Sequence, residues 1–392
     1  MKKFNIGVLG IGDISNVYFN NLKKYDIVNV VACAARNLEK ARKKANEHNI
    51  QKAYASSKEL IEDPEIDIIL NLTVPAVHSE LTIEALQAGK HVYTEKPLAA
   101  TLEDGEKILA LAKEKGLYVG CAPDTFLGGR LQTCRRVIDE GRIGEVIAAS
   151  AFFVSHGHES FYPNADFLYK LGGGPLLDMG PYYMTALLAL IGPIKSCCAM
   201  SKRTFDKRTI ESEPRRGETI EVEVDTHITG NFEFANGAIG TFMTSFDVWD
   251  SELPRIEIYG TEGTICINDI DPLDGPNLFG GPVLLRTKEN YRWKRLPRHK
   301  PYSEWEEIPI EHQFNEISHK ENSRGIGLVD MAYAIRDQRE ERASGQMAFH
   351  ALEVMEGLLK SAKEGCYYHL RSSCKRPEPL PIDFPMSVTS IF

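Results

Sequence analysis

The segment Phe4-Asn5-Ile6-Gly7-Val8-Leu9-Gly10-Ile11-Gly12-Asp13-Ile14-Ser15 decides the fold. A short apolar run ends in two glycines spaced one residue apart, and a helical stretch is expected from Ser15 to Lys24. At such a strand-to-helix turn Gly10 permits the tight reversal, and Gly12 leaves the helix N-terminus open to a pyrophosphate. Ser15 is small enough for the helix to lie close on the strand. Gly10, Gly12, Asp13, Ile14 and Ser15 are therefore candidate dinucleotide contacts. A turn that needs glycine for geometry alone is the plainer alternative, and the strand–turn–helix context favours the site. Met1-Lys2-Lys3 ahead of an apolar run has the outline of a signal peptide. The run is short and broken by Asn5, Gly7 and Asp13, so it reads as a strand, and a cytoplasmic location is expected.

The pattern continues outward. Strands are expected at Val28–Ala34, Ile66–Leu72, His91–Glu95 and Leu117–Gly120. Helices are expected at Leu38–His48, capped by Asn37, at His78–Ala88, and at Leu102–Lys113, opened by Thr101 and Asp104 and stopped by Gly116. Strands alternating with helices at this spacing pair in parallel through right-handed crossovers. The first 122 residues thus read as a doubly wound parallel sheet, a Rossmann-type α/β domain.

With 392 residues a second domain is required. Hydrophobic residues make up 43% and charged residues 26%, an ordinary globular balance. The net charge of -9 argues against a nucleic-acid partner, and the longest apolar runs are too short to span a membrane. Eight cysteines without a Cys-x-x-Cys pair read as free thiols, and no metal site is expected.

Residues 123–370 follow a different grammar, with strands at Val146–Val154, Thr219–Asp225, Thr226–Phe234, Ala238–Val248, Arg255–Tyr259 and Thr264–Asn268. Asn236-Gly237 predicts a type I′ hairpin turn. The second domain is read as α/β with a mainly antiparallel, open sheet. A helix is expected at Pro181–Ile191, a long loop at 270–303, helices at Ile326–Arg336 and Gln346–Lys363, and a Pro-spaced extended tail at 371–392.

Three further segments carry chemistry. After the second strand, where an acidic residue usually holds the adenosine ribose of NAD, the chain has Ala34-Ala35-Arg36-Asn37. Room at Ala35 and the guanidinium of Arg36 suit a 2′-phosphate, which favours NADP over NAD; Arg36 as a solvated helix-start residue is the alternative. Thr94-Glu95-Lys96-Pro97 ends the strand His91–Glu95 on the edge where such sheets bind ligands. Asn71-Leu72-Thr73-Val74-Pro75-Ala76-Val77-His78 ends the strand Ile66–Leu72 on the same edge, adding Thr73, Pro75, His78 and Glu95 to the cofactor candidates. Beside a cationic nicotinamide, repulsion and desolvation would lower the pKa of Lys96, as a proton acceptor requires. His156, His158, Glu159 and Tyr169 offer polar groups and ring faces for a sugar. A metal held by the two histidines lacks a recognisable third ligand. Asp247, Trp249, Asn277 and Phe279 are weaker candidates, with Trp249 read mainly as packing.

These pieces, with Gly172-Gly173-Gly174-Pro175-Leu176-Leu177-Asp178-Met179-Gly180-Pro181-Tyr182, resemble the glucose–fructose oxidoreductase, inositol dehydrogenase and rhizopine-catabolism (Gfo/Idh/MocA) family over nearly the whole chain. The resemblance implies NAD(P)-dependent oxidation or reduction of a sugar, cyclitol or related polyol. It also implies a homodimer or homotetramer in which the open sheet builds a subunit contact. Lys96 matches the family's catalytic lysine, and Asp178 the acid of its Asp-x-Gly-x-His pattern. Tyr182 stands where that pattern has histidine, which makes Tyr182 a candidate catalytic group and shifts more of the proton transfer to Lys96. Asp178 and Tyr182 are also candidate substrate contacts. At Ala122-Pro123-Asp124-Thr125-Phe126 relatives are rich in Asn and Arg, and Asp124 is placed near the nicotinamide ribose.

The leading expectation is a dehydrogenase or reductase of a neutral sugar, glycoside or cyclitol. Glycoside cleavage through a transient 3-keto intermediate is the alternative, and a non-catalytic dinucleotide-dependent regulator stands further off. The cleft segments 154–169 and 172–183 have Lys170 as their nearby cation, so a neutral substrate is expected, with Arg130 and Arg324 as basic residues that folding could bring in. The run Ala238–Met243 is expected to make the open sheet face apolar enough to pair with a second copy.

Overall fold

In the computed structural model the described residues are 3–268, 278–290, 305–316 and 322–384. They divide into two compact units. The first contains residues up to Leu127 together with 322–352 and 377–384; the second contains 128–316 and 353–376.

The first unit is built on strands β1 (Phe4–Leu9), β2 (Val28–Ala34), β3 (Lys52–Tyr54), β4 (Ile68–Asn71), β5 (His91–Thr94) and β6 (Val119–Cys121). All pair in parallel, in the order β3-β2-β1-β4-β5-β6. This is the doubly wound arrangement expected, and it adds β3, which is too short to carry a pattern of its own. Helices α1 (Asp13–Leu22), α2 (Leu38–His48), α3 (Ser57–Ile61), α4 (His78–Gln87) and α5 (Leu102–Lys115) make the crossovers. Side-chain caps set three of their starts: Asn37 accepts from the Lys40 amide, Ser56 from that of Glu59, and Thr101 from that of Asp104. The central strands are buried along their length, as a sheet covered on both faces requires.

The second unit holds α6 (Gly129–Asp139), β7 (Val146–Val154), α7 (Gly174–Leu190) and β8 (Ile194–Lys202). A two-stranded ribbon follows, β9 (Lys207–Thr209) with β10 (Thr219–Glu221). Then come β11 (His227–Phe234), β12 (Ile239–Ser245), β13 (Ile256–Gly260), β14 (Gly263–Ile267), β15 (Val283–Thr287) and β16 (Glu306–Ile308). The nine-stranded sheet runs β16-β15-β14-β13-β7-β12-β11-β8-β17, with β17 at Tyr368–His369, and is antiparallel except for β7 beside β12.

Four expectations are corrected. The helix expected from Pro181 starts at Gly174, because Pro175 lies in the first turn, where no amide is needed, and the helix absorbs Pro181. The 270–303 segment contains β15. The expected Thr219–Asp225 strand stops at Glu221 and pairs in the ribbon, outside the large sheet. The Asn236-Gly237 hairpin is not type I′: of the two, Gly237 alone has positive φ, and its amide donates to Phe234 while the Phe234 amide donates to Ala238. That is a three-residue loop ending in a glycine bulge.

The expected domain boundaries, 1–122, 123–370 and 371–392, also differ from the compact units. The chain comes back to the first unit after Asn322, through α8 (Ile326–Asp337) and the start of α9 (Gly345–Glu364). The amides of Gly325 and Gly327 donate to Asp124, and a Ser344 bridge extends β6 at Gly120. A boundary drawn where the strand–helix rhythm ends misses this return.

On the large sheet, strand alternation sends Phe153, Phe242 and Gly240 to the face packed by α7, where Tyr183 meets both phenylalanines. The opposite face carries Thr241 hydrogen-bonded to Asn231, Ser150 hydrogen-bonded to Tyr259, and exposed Ile239 and Met200. The Ala238–Met243 run therefore divides between the two faces, and the open one is mixed rather than apolar.

Candidate active site

The candidate residues fall into two sets, one in each unit. In the first unit, β1, β4 and β5 all end on the carboxyl edge of the parallel sheet. Gly10 has φ +90°, and a Cβ there would lie 2.6 Å from the Leu72 carbonyl oxygen, so local packing demands glycine. Gly12 differs. It is the N-cap of α1 in an extended conformation, its neighbours would leave a Cβ untouched to 4 Å, and no side chain caps the helix. The fold gives no reason for glycine at Gly12; a ligand close against the helix N-terminus does, and the amides there suit a pyrophosphate. Ser15 is fully buried with its hydroxyl on the Gly12 carbonyl, as close helix packing requires. Asp13 opens α1, with Ile14 next to it. Arg36 lies exposed between the end of β2 and α2, with Ala35 before it.

At the end of β4, Thr73 is turned by the Asn71 side chain, which accepts from its amide at 3.2 Å and its hydroxyl at 2.6 Å. Pro75 opens a short 3₁₀ turn. His78 is fully buried, with Nδ1 2.9 Å from the Pro97 carbonyl and Nε2 2.9 Å from the Thr73 carbonyl. Both ring nitrogens are thus occupied, and His78 ties the Thr73 turn to the Lys96-Pro97 turn. Lys96 is half-buried at the end of β5, and the peptide before Pro97 is cis. The Glu95 carboxylate is equally committed: it accepts from Tyr18 Oη at 2.8 Å and the Lys96 amide at 3.1 Å, and Arg324 lies 3.6 Å away.

Asp124 departs most from expectation. It is 1% exposed, and Oδ2 accepts from the Gly325 and Gly327 amides at 2.8 and 2.9 Å. It caps the N-terminus of α8. Burial pushes its carboxyl up to about 6 against the pull of these donors.

In the second unit, α7 carries Asp178, half-buried, and Tyr182, buried, four residues apart and so on one side of the helix. The segment after β7 has other work. Glu159 and Arg208 are both about 5% exposed and ion-paired at 2.7 Å; Tyr169 donates its hydroxyl to the second Glu159 oxygen. Arg208 also reaches Asp247 at 3.4 Å and the carbonyls of His156 and Phe246. Thr226 donates to Asp247 at 2.6 Å. Glu159, Tyr169 and Asp247 are thus held in a buried network around Arg208, which gives them a scaffold role.

His156 and His158 do not share an extended face, because Gly157 turns the chain between them. His156 stacks on Trp249, with its Nδ1 buried and lacking a hydrogen-bond partner; His158 packs edge-on to Phe246. Trp249 is 79% exposed, so apart from this stack it lies outside the core. Phe279 is core, Asn277 lies outside the described residues, and Arg130 is buried with Nε on the Pro282 carbonyl. No group of three or more His, Cys, Asp or Glu among the described residues could hold a metal, and all eight cysteines are free. Among the described residues no helix is long and apolar enough to cross a membrane.

Sequence reasoning missed Arg208, Arg215 and Tyr18. Arg215 pairs with Asp166 through both Nη atoms. The two arginines therefore bring no net positive charge to the 154–169 segment, since each meets a carboxylate there.

A glycine-opened helix N-terminus, a parallel sheet ordered about β1, and a lysine after β5 on the same carboxyl edge define a dinucleotide-dependent oxidoreductase. Family models agree: the NAD-binding Rossmann fold of the oxidoreductase family matches residues 4–122, and the GFO/IDH/MocA C-terminal domain matches residues 131–266. The chain belongs to the Gfo/Idh/MocA family. It is 32% identical over 264 residues to trans-1,2-dihydrobenzene-1,2-diol dehydrogenase of Xenopus laevis, covering 67% of this chain and 74% of that protein. It is 28% identical over 266 residues to 1,5-anhydro-D-fructose reductase of Ensifer adhaerens, covering 66% and 74%. Among solved structures, levoglucosan dehydrogenase in complex with NADH and L-sorbose matches with TM-score 0.78 at 18% identity, covering 94% of this chain and 99% of that one. This last likeness is one of fold.

Proposed function

We propose that this enzyme transfers a hydride between nicotinamide and a secondary alcohol carbon of a neutral sugar, glycoside or cyclitol, with Lys96 as the acid–base group. The observation that carries the reading is the placement of Lys96. It is half-buried on the same carboxyl edge as the Gly10–Gly12 turn, with its main-chain amide held by Glu95. When bound, the nicotinamide takes or gives the hydride. The Lys96 amine accepts the hydroxyl proton as the alcohol carbon becomes a carbonyl, and returns it in reduction. Asp178 and Tyr182 present a carboxylate and a phenol from one side of α7, a set suited to binding substrate hydroxyls. The names of the relatives, among them D-xylose dehydrogenase and myo-inositol 2-dehydrogenase, support a polyol. The charge-balanced 154–169 segment supports a neutral one.

Lys96→Ala is expected to lose about 10²–10⁴-fold in kcat while keeping its cofactor affinity. Turnover within a few-fold of the parent, on a sugar and polyol panel with both cofactors, would remove Lys96 from the chemistry. Stoichiometric release of reduced cofactor separates net oxidation from glycoside cleavage with internal recycling. NADP is the preferred cofactor in this reading, because Ala35 and the exposed Arg36 replace the usual acid; unchanged NADP affinity in Arg36→Ala counts against it. The open sheet face, with exposed Ile239 and Met200, is the proposed subunit contact. A monomeric mass at micromolar concentration contradicts that part.

A further inference from the structure

Glu95 immediately precedes Lys96 and is 8% exposed, and its carboxylate is met from three directions. Tyr18 comes from α1, Arg324 from the segment leading into α8, and the Lys96 amide from the strand end itself. The segment bearing Arg324 is tied to the same helix, because Asn21 on α1 donates through Nδ2 to the carbonyls of Asn322 at 2.6 Å and Arg324 at 2.9 Å. Tyr18 and Asn21 stand one turn apart on α1, whose N-terminus is the Gly12 site. A continuous set of contacts therefore runs from the dinucleotide helix to the backbone of the candidate acid–base lysine.

The remaining titratable neighbours of Glu95 are accounted for. Asp124 is taken up by the Gly325 and Gly327 amides, Tyr93 is buried beside it, and the Cys121 thiol faces the Glu95 carbonyl at 3.9 Å. Burial, then the charge of Glu95, pushes the Tyr18 phenol well above its usual range, so it stays a donor. That leaves the Arg324 guanidinium as the positive charge facing the carboxylate from outside the Lys96 turn.

We propose that Arg324 and Tyr18 are positioning residues for Lys96. Together they hold the Glu95 carboxylate where it anchors the Lys96 main chain, and Arg324 offsets a negative charge that would otherwise favour the lysine ammonium. This deepens the reading of Lys96 as acid–base and rests on it. Without Arg324, the uncompensated Glu95 carboxylate one residue away moves the Lys96 ammonium–amine balance alkaline by about one pH unit.

The test uses full-length Arg324→Met, Arg324→Lys and Tyr18→Phe. The first measurement is the pH dependence of Lys96 acetylation by acetic anhydride, read by peptide mass spectrometry without substrate or cofactor. The half-maximal pH is expected to rise by about one unit in Arg324→Met, to return towards the parent value in Arg324→Lys, and to move less in Tyr18→Phe. The second measurement is the pH profile of kcat for alcohol oxidation. Its acid limb should shift the same way, with cofactor affinity within about twofold. A labelling curve unchanged in the folded arginine variants and in Tyr18→Phe overturns the proposal. If Arg324→Met fails to fold, Tyr18→Phe still decides it: loss of kcat without a rise in KM supports the proposal, and parent-like kcat with an unchanged labelling curve overturns it. If labelling shifts while Lys96→Ala keeps full turnover, the positioning stands and the acid–base reading of Lys96 fails.

Discussion

Replacing Arg208 by methionine removes one cation from between two carboxylates. The Glu159 and Asp247 side chains are 5% and 6% exposed, so water replaces little of the lost guanidinium. Breaking a buried pair from one side typically costs about 3–5 kcal/mol. Two anions depend on Arg208, and the carbonyls of His156 and Phe246 lose their donor as well, which places the cost at the upper end. For a unit of this size that corresponds to a fall in melting temperature of about 10 °C or more. Calorimetry or tryptophan fluorescence at pH 8 measures it. Acidification to pH 5 should narrow the gap to the parent, because orphaned carboxylates can then take up protons. Glu159→Gln should cost less, since it removes charge while keeping an acceptor for Tyr169. A drop below about 2 °C in Arg208→Met would refute the scaffold assignment. So would a Glu159→Gln variant whose only change is a raised KM for the sugar.

Three other perturbations probe separate claims. Asp124 has its folded pKa raised from 3.8 to about 6, so its ionisation opposes folding above that pH; stability should rise by up to about 3 kcal/mol as pH falls through 6 towards 4. Asp124→Asn should flatten that part of the melting-temperature profile, and an unchanged slope would sink the assignment. Gly12→Val should fold normally, because a Cβ meets nothing within 4 Å, yet lose at least about tenfold in cofactor affinity by titration; unchanged affinity would disprove a close ligand approach. Trp249→Ala should cost no more than about 1 kcal/mol, since a side chain that is 79% exposed buries little area; a loss of several would return Trp249 to the core.

The first 120 residues were legible because hydrophobic period, caps and glycine stops agree there. Asn37, Thr101 and Gly116 mark helix ends within two residues of where they fall. The glycine turn and the Lys96 strand end were legible for the same reason: short-range geometry dictates the residue type. Long-range contacts were not. Asp124 gave no sign of capping a helix whose glycines lie some two hundred residues later. Arg208 sits in Lys-Arg-Thr, a run with no apolar alternation, so neither its strand nor its partner Glu159 showed in the pattern. His78 stands among the expected cofactor contacts, whereas its ring serves two backbone carbonyls, an environment no local spacing encodes.

The return of residues 322–352 to the first unit sets an order of events during synthesis. At about 5–20 residues per second, the ribosome releases the partners of Asn21, Glu95 and Asp124 many seconds after those residues emerge. Until then Asp124 lacks its two amide donors and Glu95 its guanidinium, while residues 128–316 have already been made. The nascent nucleotide-binding half therefore waits, unfinished, through the translation of the other. A stop codon introduced just before Asn322 would leave a chain with its glycine fingerprint intact and its Glu95 without the guanidinium.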